Sequence, residues 1–221
     1  MKKAFILLVI SLILTGCSIH SFDDKSIDEV INYTIQSNEG SKLKNNSFNG
    51  YSYYIPRELY FINKNDYNSI LKDTNNNYYY VYTDVVSYYH KVRDNYDVDS
   101  NAFYSNKIEN GKKFGYFEIN EYNDTYYIEA MYNYTKIEAV VKKENLNDSI
   151  VNICVVLSSV KYSDKVLETT VGENALSYKE ESYNIFKTKK DTSSFLNYVK
   201  EYEKMDEKKK DEDKVKIEDK E

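Results

Sequence analysis

Few side chains in this sequence are suited to covalent or metal chemistry. Its 221 residues include two Cys and two His. Cys17 follows Leu14-Thr15-Gly16 near the start, and Cys154 lies within the apolar run Ile150-Val151-Asn152-Ile153-Cys154-Val155-Val156-Leu157. A thiol in such a run, with no His or basic residue beside it to stabilise a thiolate, behaves as a small core hydrophobe. His20 stands close to Cys17. His90 stands in Tyr88-Tyr89-His90-Lys91-Val92-Arg93-Asp94, the densest mixed cluster of the chain, so His90 and Arg93 are candidates for lining a pocket. Glu118 and Glu129 are the carboxylates that neighbouring strands could pair for acid and base work, but both alternate with apolar residues and are expected to face solvent. No His-Glu-x-x-His, paired Cys, Gly-x-Ser-x-Gly or Gly-rich phosphate loop is present, so the expectation is no cofactor, no metal and no catalytic residue.

The chain begins Met1-Lys2-Lys3, runs apolar from Ala4 to Leu14 with Ser11 the single interruption, and continues directly into Leu14-Thr15-Gly16-Cys17. A basic start followed by a short apolar stretch is the order of a secretory signal, and the stretch is well below the ~20 residues a spanning helix needs. The four residues ending in Cys17 resemble the lipobox of bacterial lipoproteins of the Gram-positive type. The resemblance implies cleavage between Gly16 and Cys17 and a diacylglyceryl group on the Cys17 thiol. It further implies a body held at the outer face of the cell membrane. Two acyl chains anchor stably where one alone binds marginally, each buried methylene contributing ~0.8 kcal/mol. With Cys17 so used, Cys154 has no disulfide partner.

Tyrosine is the one unusual asset, with 25 Tyr against 9 Phe and no Trp. Ring faces with hydroxyl rims suit a protein, peptide or glycan ligand, and Tyr78, Tyr79, Tyr80 and Tyr82 form the candidate patch. The competing reading is that these rings cover a sheet as cross-strand pairs. Nucleic acid is excluded as a partner, because the net charge is −6 and Arg57 and Arg93 are the sole arginines.

The elements that position these groups follow from periodicity. Ser26-Ile27-Asp28-Glu29 fits a capping box and Ile27, Val30, Ile31, Thr34 and Ile35 repeat at helical spacing, predicting a helix to about Ser37. Short strands are expected over 51–55 and 59–62, parted by Pro56, and a hairpin over 68–72 and 78–83 about Asp73-Thr74-Asn75-Asn76-Asn77. Residues 84–92 read as either extended or helical. Strands over 103–108 and 113–120 flank Asn110-Gly111, and strands over 125–134 and 136–141 complete a meander. The middle strand places Ile128, Ala130, Tyr132 and Tyr134 on one face and Glu129 and Asn133 on the other. A buried helix over 145–159 carries Leu146, Ile150, Ile153, Cys154 and Leu157. Edge strands at 161–162 and 183–186 and a final helix from about Thr192 follow.

The predicted architecture is α+β: an antiparallel meander packed by an N-terminal helix and one or two C-terminal helices. Its divisions are a leader over 1–16, a lipidated Cys with tether over 17–25, one domain over 26–202, and a charged tail over 203–221. The tail holds nine acids and seven lysines in nineteen residues, too few apolar groups to offset its ordering entropy. The element order, with Phe114-Gly115-Tyr116-Phe117-Glu118-Ile119 and Leu157-Ser158-Ser159-Val160-Lys161-Tyr162, is similar to the PsbP-like α/β/α sandwich. That resemblance implies a fold used for binding and assembly and carries no site residues. Two functional expectations result: a membrane-anchored, non-enzymatic lipoprotein, or a cell-envelope hydrolase using carboxylates and His90.

Overall fold

Residues 26–65, 67–93 and 95–172 are described by the computed structural model. Helix α1 (Ile27–Glu39) starts where the Ser26 hydroxyl accepts from the Glu29 amide at 3.3 Å, and it buries Val30, Ile31, Thr34 and Ile35 as the periodicity requires. The next residues form a small three-stranded antiparallel sheet in the order β1 (Asn46–Ser47), β2 (Tyr51–Tyr53) and β10 (Lys161–Tyr162). Asn45 extends it with its side chain, donating to the Ile55 carbonyl and accepting from the Ile55 amide at 2.8 Å each, and so copies a ladder pair beside Pro56.

The main sheet has seven antiparallel strands, β3 (Leu59–Lys64), β4 (Asn68–Asp73), β5 (Tyr78–Thr83), β6 (Tyr104–Asn110), β7 (Lys113–Tyr122), β8 (Thr125–Tyr132) and β9 (Thr135–Lys142), ordered β3-β4-β5-β9-β8-β7-β6. Thus β9 returns to pair with β5, inserting the β6–β9 meander beside the first hairpin rather than after it. The ambiguous residues become helix α2 (Val85–His90), because the Asp84 carboxylate accepts from the Ser87 amide at 2.8 Å and Lys91 closes the helix at φ 55°. Two hairpin turns differ from the sequence reading. Asn110 pairs with Lys113, so Gly111 at φ 60° and Lys112 are the central residues. The β8 strand stops at Tyr132, since Asn133 and Tyr134, at φ 49° and 66°, make the two-residue turn to β9. Tyr134 therefore leaves the face of Ile128, Ala130 and Tyr132 and packs with Phe114, Tyr116, Met131 and Tyr96.

Helix α3 (Leu146–Ser159) crosses one face of the sheet and packs against α1. Ile150, Ile153, Cys154, Val156 and Leu157 are buried there, each apolar side chain of this size contributing about 1.5–3 kcal/mol. Helix α4 (Asp164–Thr170) was not expected from the sequence, and its Leu167 closes the core against Gly50. The expected leader, tether, strand over 183–186, helix from Thr192 and charged tail lie outside the described residues. Among those described, no helix is long and apolar enough to cross a membrane.

Candidate functional site, a carboxylate row on the second face of the sheet

The residues singled out by sequence do not form one site. Tyr78 and Tyr79 are 3% and 1% exposed, which removes them from any binding surface. Tyr79 points to the helix side, donating to Asp73 at 2.7 Å and sharing a 2.9 Å bond with Ser149 of α3. Tyr80 and Tyr82 are half-buried, and the Tyr80 hydroxyl donates to Asn68 at 2.8 Å. The physical reason is that β5 is an interior strand paired with β4 and β9, with Tyr79 against helix α3, so its rings serve as cross-strand packing. His90 is exposed and makes an edge contact with Tyr89 at 5.3 Å. Arg93 is exposed too, bonded to Glu109 at 2.7 Å and lying over the Phe114 ring. Asp94 and Cys17 lie outside the described residues. Cys154 is fully buried, and burial pushes its thiol well above the ordinary range, in keeping with a core role.

What does converge is a row of carboxylates. Glu118 of β7 stands opposite Glu129 of β8, and Glu129 opposite Glu138 of β9, with Ser105 and Tyr80 flanking them on the same register line. Directly opposed residues have Cβ atoms ~4.5–5.5 Å apart, so like charges here repel. The pairing of Glu118 with Glu129 agrees with the sequence reading, but its solvent exposure does not: Glu129 is 4% exposed. Both faces of β8 are buried, because the segment before β6 folds over the second face and stacks Tyr96 on Tyr116 at 4.1 Å and 2°. Glu138 and Lys136 went unrecognised from sequence. Their signal was the two-residue turn at Asn133-Tyr134, which sets Glu129 opposite Glu138 once its length is known.

Each acid has a donor. The Tyr96 hydroxyl donates to Glu118 while sharing a 2.7 Å bond with Ser105, and Asn120 donates to the other Glu118 oxygen at 2.8 Å. Tyr116 donates to Glu129 at 2.5 Å. Lys136 donates to Glu138 and lies 3.9 Å from Glu129. Burial raises the Glu129 carboxyl above its ordinary value, more than Lys136 and Tyr116 lower it, and Glu138 and Glu118 add to the rise. Burial, with the Glu129 carboxylate adding, also pushes the Tyr116 hydroxyl well above its usual range. Chemically the row favours the protonated form of Glu129 relative to a free carboxyl and ties the Tyr96 segment to the sheet. Among the described residues no group of His, Cys, Asp and Glu converges as a metal site.

A pH dependence follows from Glu129. Its folded value is raised, so the native state holds a proton that the unfolded chain releases. That stabilisation is complete below the ordinary carboxylate value and is lost as pH rises through the folded value. The Glu129→Gln variant is expected to lose this component of the slope, so its stability relative to wild type rises as pH increases above the ordinary carboxylate value, read from urea midpoints. Parallel curves for the two proteins would show that Glu129 is not raised.

No protein-family model matches the chain, and no curated protein and no solved structure matches it either.

Proposed function

We propose that the protein is a membrane-anchored extracytoplasmic lipoprotein with a non-enzymatic binding or assembly role, held at the outer face of the cell membrane by a diacylglyceryl group on Cys17. The observation that carries this reading is Leu14-Thr15-Gly16-Cys17 directly behind a basic start and an apolar run too short to span. The four residues resemble the lipobox, and that resemblance implies a diacylglyceryl group on the Cys17 thiol, whose two acyl chains suffice for stable anchoring. A binding role is favoured because His90 is exposed and apart from the hydrogen bonds of the carboxylate row, whose acids are taken up by Tyr96, Tyr116, Asn120 and Lys136.

The register-aligned acids are what favour the second reading, a hydrolase using carboxylates. A general acid must reach the reacting atom, and Glu129 lies beneath Tyr96 and Tyr116. The lipoprotein reading is tested by growing cells with a labelled fatty acid. Wild type is expected to take up label and to yield a mature chain whose first residue is a diacylglycerol-modified Cys17, while Cys17→Ala takes up none. An unlabelled wild-type protein overturns it.

A further inference from the structure

The small sheet carries a feature of opposite sign to the rest of the molecule. A cleft of about 590 Å³ runs along β1, β2 and β10, lined by Lys42, Lys44, Phe48, Tyr51, Lys161 and Tyr162 among others. A second recess of about 430 Å³, with Lys64, meets it at Ser47 and Phe48. Both volumes fall in the range of ligand sites. Among the described residues, no acidic side chain lines either recess.

No ion pair among the described residues includes Lys42, Lys44, Lys64 or Lys161. Lys161 donates to the Ser41 carbonyl, and Lys64 lies 4.2 Å from the Phe48 ring centre. The nearby acid Asp164 is occupied by the Tyr88 hydroxyl at 2.9 Å. In a chain with 36 acids and 30 basic residues, four lysines lining adjoining recesses, with no carboxylate among the described lining residues, favour an anion there.

Beneath them lies an aromatic floor. Phe48 stacks on Tyr51 at 4.7 Å and 3°, and Tyr51 leads to Tyr162 at 6.4 Å, itself stacked on Tyr88 at 3.7 Å. Phe48 is half-buried at the junction of the two recesses, so it offers an apolar edge between two charged ends. The floor is rigid by construction. Gly50 at φ 92° lies so close to Leu167 that a Cβ there would meet it at 2.3 Å, and Asn45 fixes the entering chain to Ile55.

We infer that this double recess binds a soluble, base-free phosphodiester-linked polyol chain, its phosphates among Lys42, Lys44, Lys161 and Lys64 and its carbon faces on Phe48. Lysine supplies compact charges with rotatable donors, which can meet successive phosphates as point charges without a forked contact. Two recesses joined at one ring match a repeating chain better than a single compact anion. The assignment names a ligand class for the binding role and does not depend on the lipid anchor, so the two fail separately.

The test is titration calorimetry of the full chain in a mild non-ionic detergent against a glycerol phosphate oligomer. Saturable binding is expected, weakening steeply from about 50 to about 200 mM salt as exposed charges are screened. A Lys42→Glu/Lys44→Glu/Lys161→Glu variant is expected to bind at least about tenfold more weakly with an unchanged melting temperature, because all three are exposed. Phe48→Ala is expected to weaken binding without changing the salt slope. Absence of binding, or equal binding by the charge-reversed variant, overturns the site. Equal affinity for polyglutamate overturns the phosphate assignment, and binding solely to anionic phospholipid vesicles overturns the soluble source.

Discussion

Replacing Asp73 by Ala is expected to destabilise the protein by about 3–5 kcal/mol, the cost of removing the central acceptor of a buried network. Asp73 is 4% exposed and closes the β4–β5 hairpin by accepting four bonds. The Asn75 and Asn77 amides reach one oxygen at 2.8 Å each, while the Asn77 side chain and the Tyr79 hydroxyl reach the other at 2.8 and 2.7 Å. Because Tyr79 also meets Ser149, the same carboxylate couples the hairpin to helix α3. Ala leaves several of these donors without a partner where water does not enter freely. Asp73→Asn keeps the shape and part of the accepting capacity, so its loss should be smaller. Tyr79→Phe removes a single hydroxyl at a cost of about 1 kcal/mol. Urea unfolding of the three variants checks the order Asp73→Ala, Asp73→Asn, Tyr79→Phe. A midpoint for Asp73→Ala equal to wild type would refute the network's role.

Gly115→Ala is expected to cost about 3 kcal/mol through overpacking, lowering the melting temperature by about 6–12 °C for a domain of this size. Gly115 pairs with Tyr132 across β7 and β8, and a Cβ there would meet the Met131 carbonyl oxygen at 2.0 Å. That atom is backbone in an interior strand, so it moves only if β8 moves. The strain reaches the row of acids, because Tyr116 and Glu129 lie on these strands within three positions of the contact. Gly111→Ala serves as the contrast, since no atom lies within 4 Å of a Cβ there and only its φ of 60° is unfavourable. Its cost should stay near 1 kcal/mol. Equal melting temperatures for Gly115→Ala and wild type would show that the strands separate freely.

Much of the fold was legible because local chemistry dictates it. Ser26 with Glu29, the stripe from Val30 to Ile35, the β4–β5 turn residues and the apolar face from Leu146 to Leu157 each state an element within a few residues, where spacing alone decides which side chains share a face. Errors arose where one residue shifts a turn. Counting Asn110-Gly111 as the turn centre, or running β8 through Tyr134, misplaces single residues yet moves a side chain to the opposite face. The candidate site was the least legible part. Glu118 and Glu129 alternate with apolar neighbours as surface residues do, and nothing local reveals that Tyr96 folds over them. Tyr78 and Tyr79 read as a binding patch until β9 pairs with β5 and helix α3 packs against Tyr79.

The sequence by itself determined the elements, the apolar faces they bury, the core role of Cys154 and the lipobox-like run that motivates the anchor. All of these are set by residue type at short spacing. Tertiary structure alone decided that β9 inserts beside β5, that three glutamates from three strands share one register line with Lys136, and that Lys42, Lys44, Lys64 and Lys161 gather around Phe48. The reason is physical: burial and charge density depend on which distant segments pack together, and pairing between strands far apart in the chain is chosen by the whole core rather than by any window of residues.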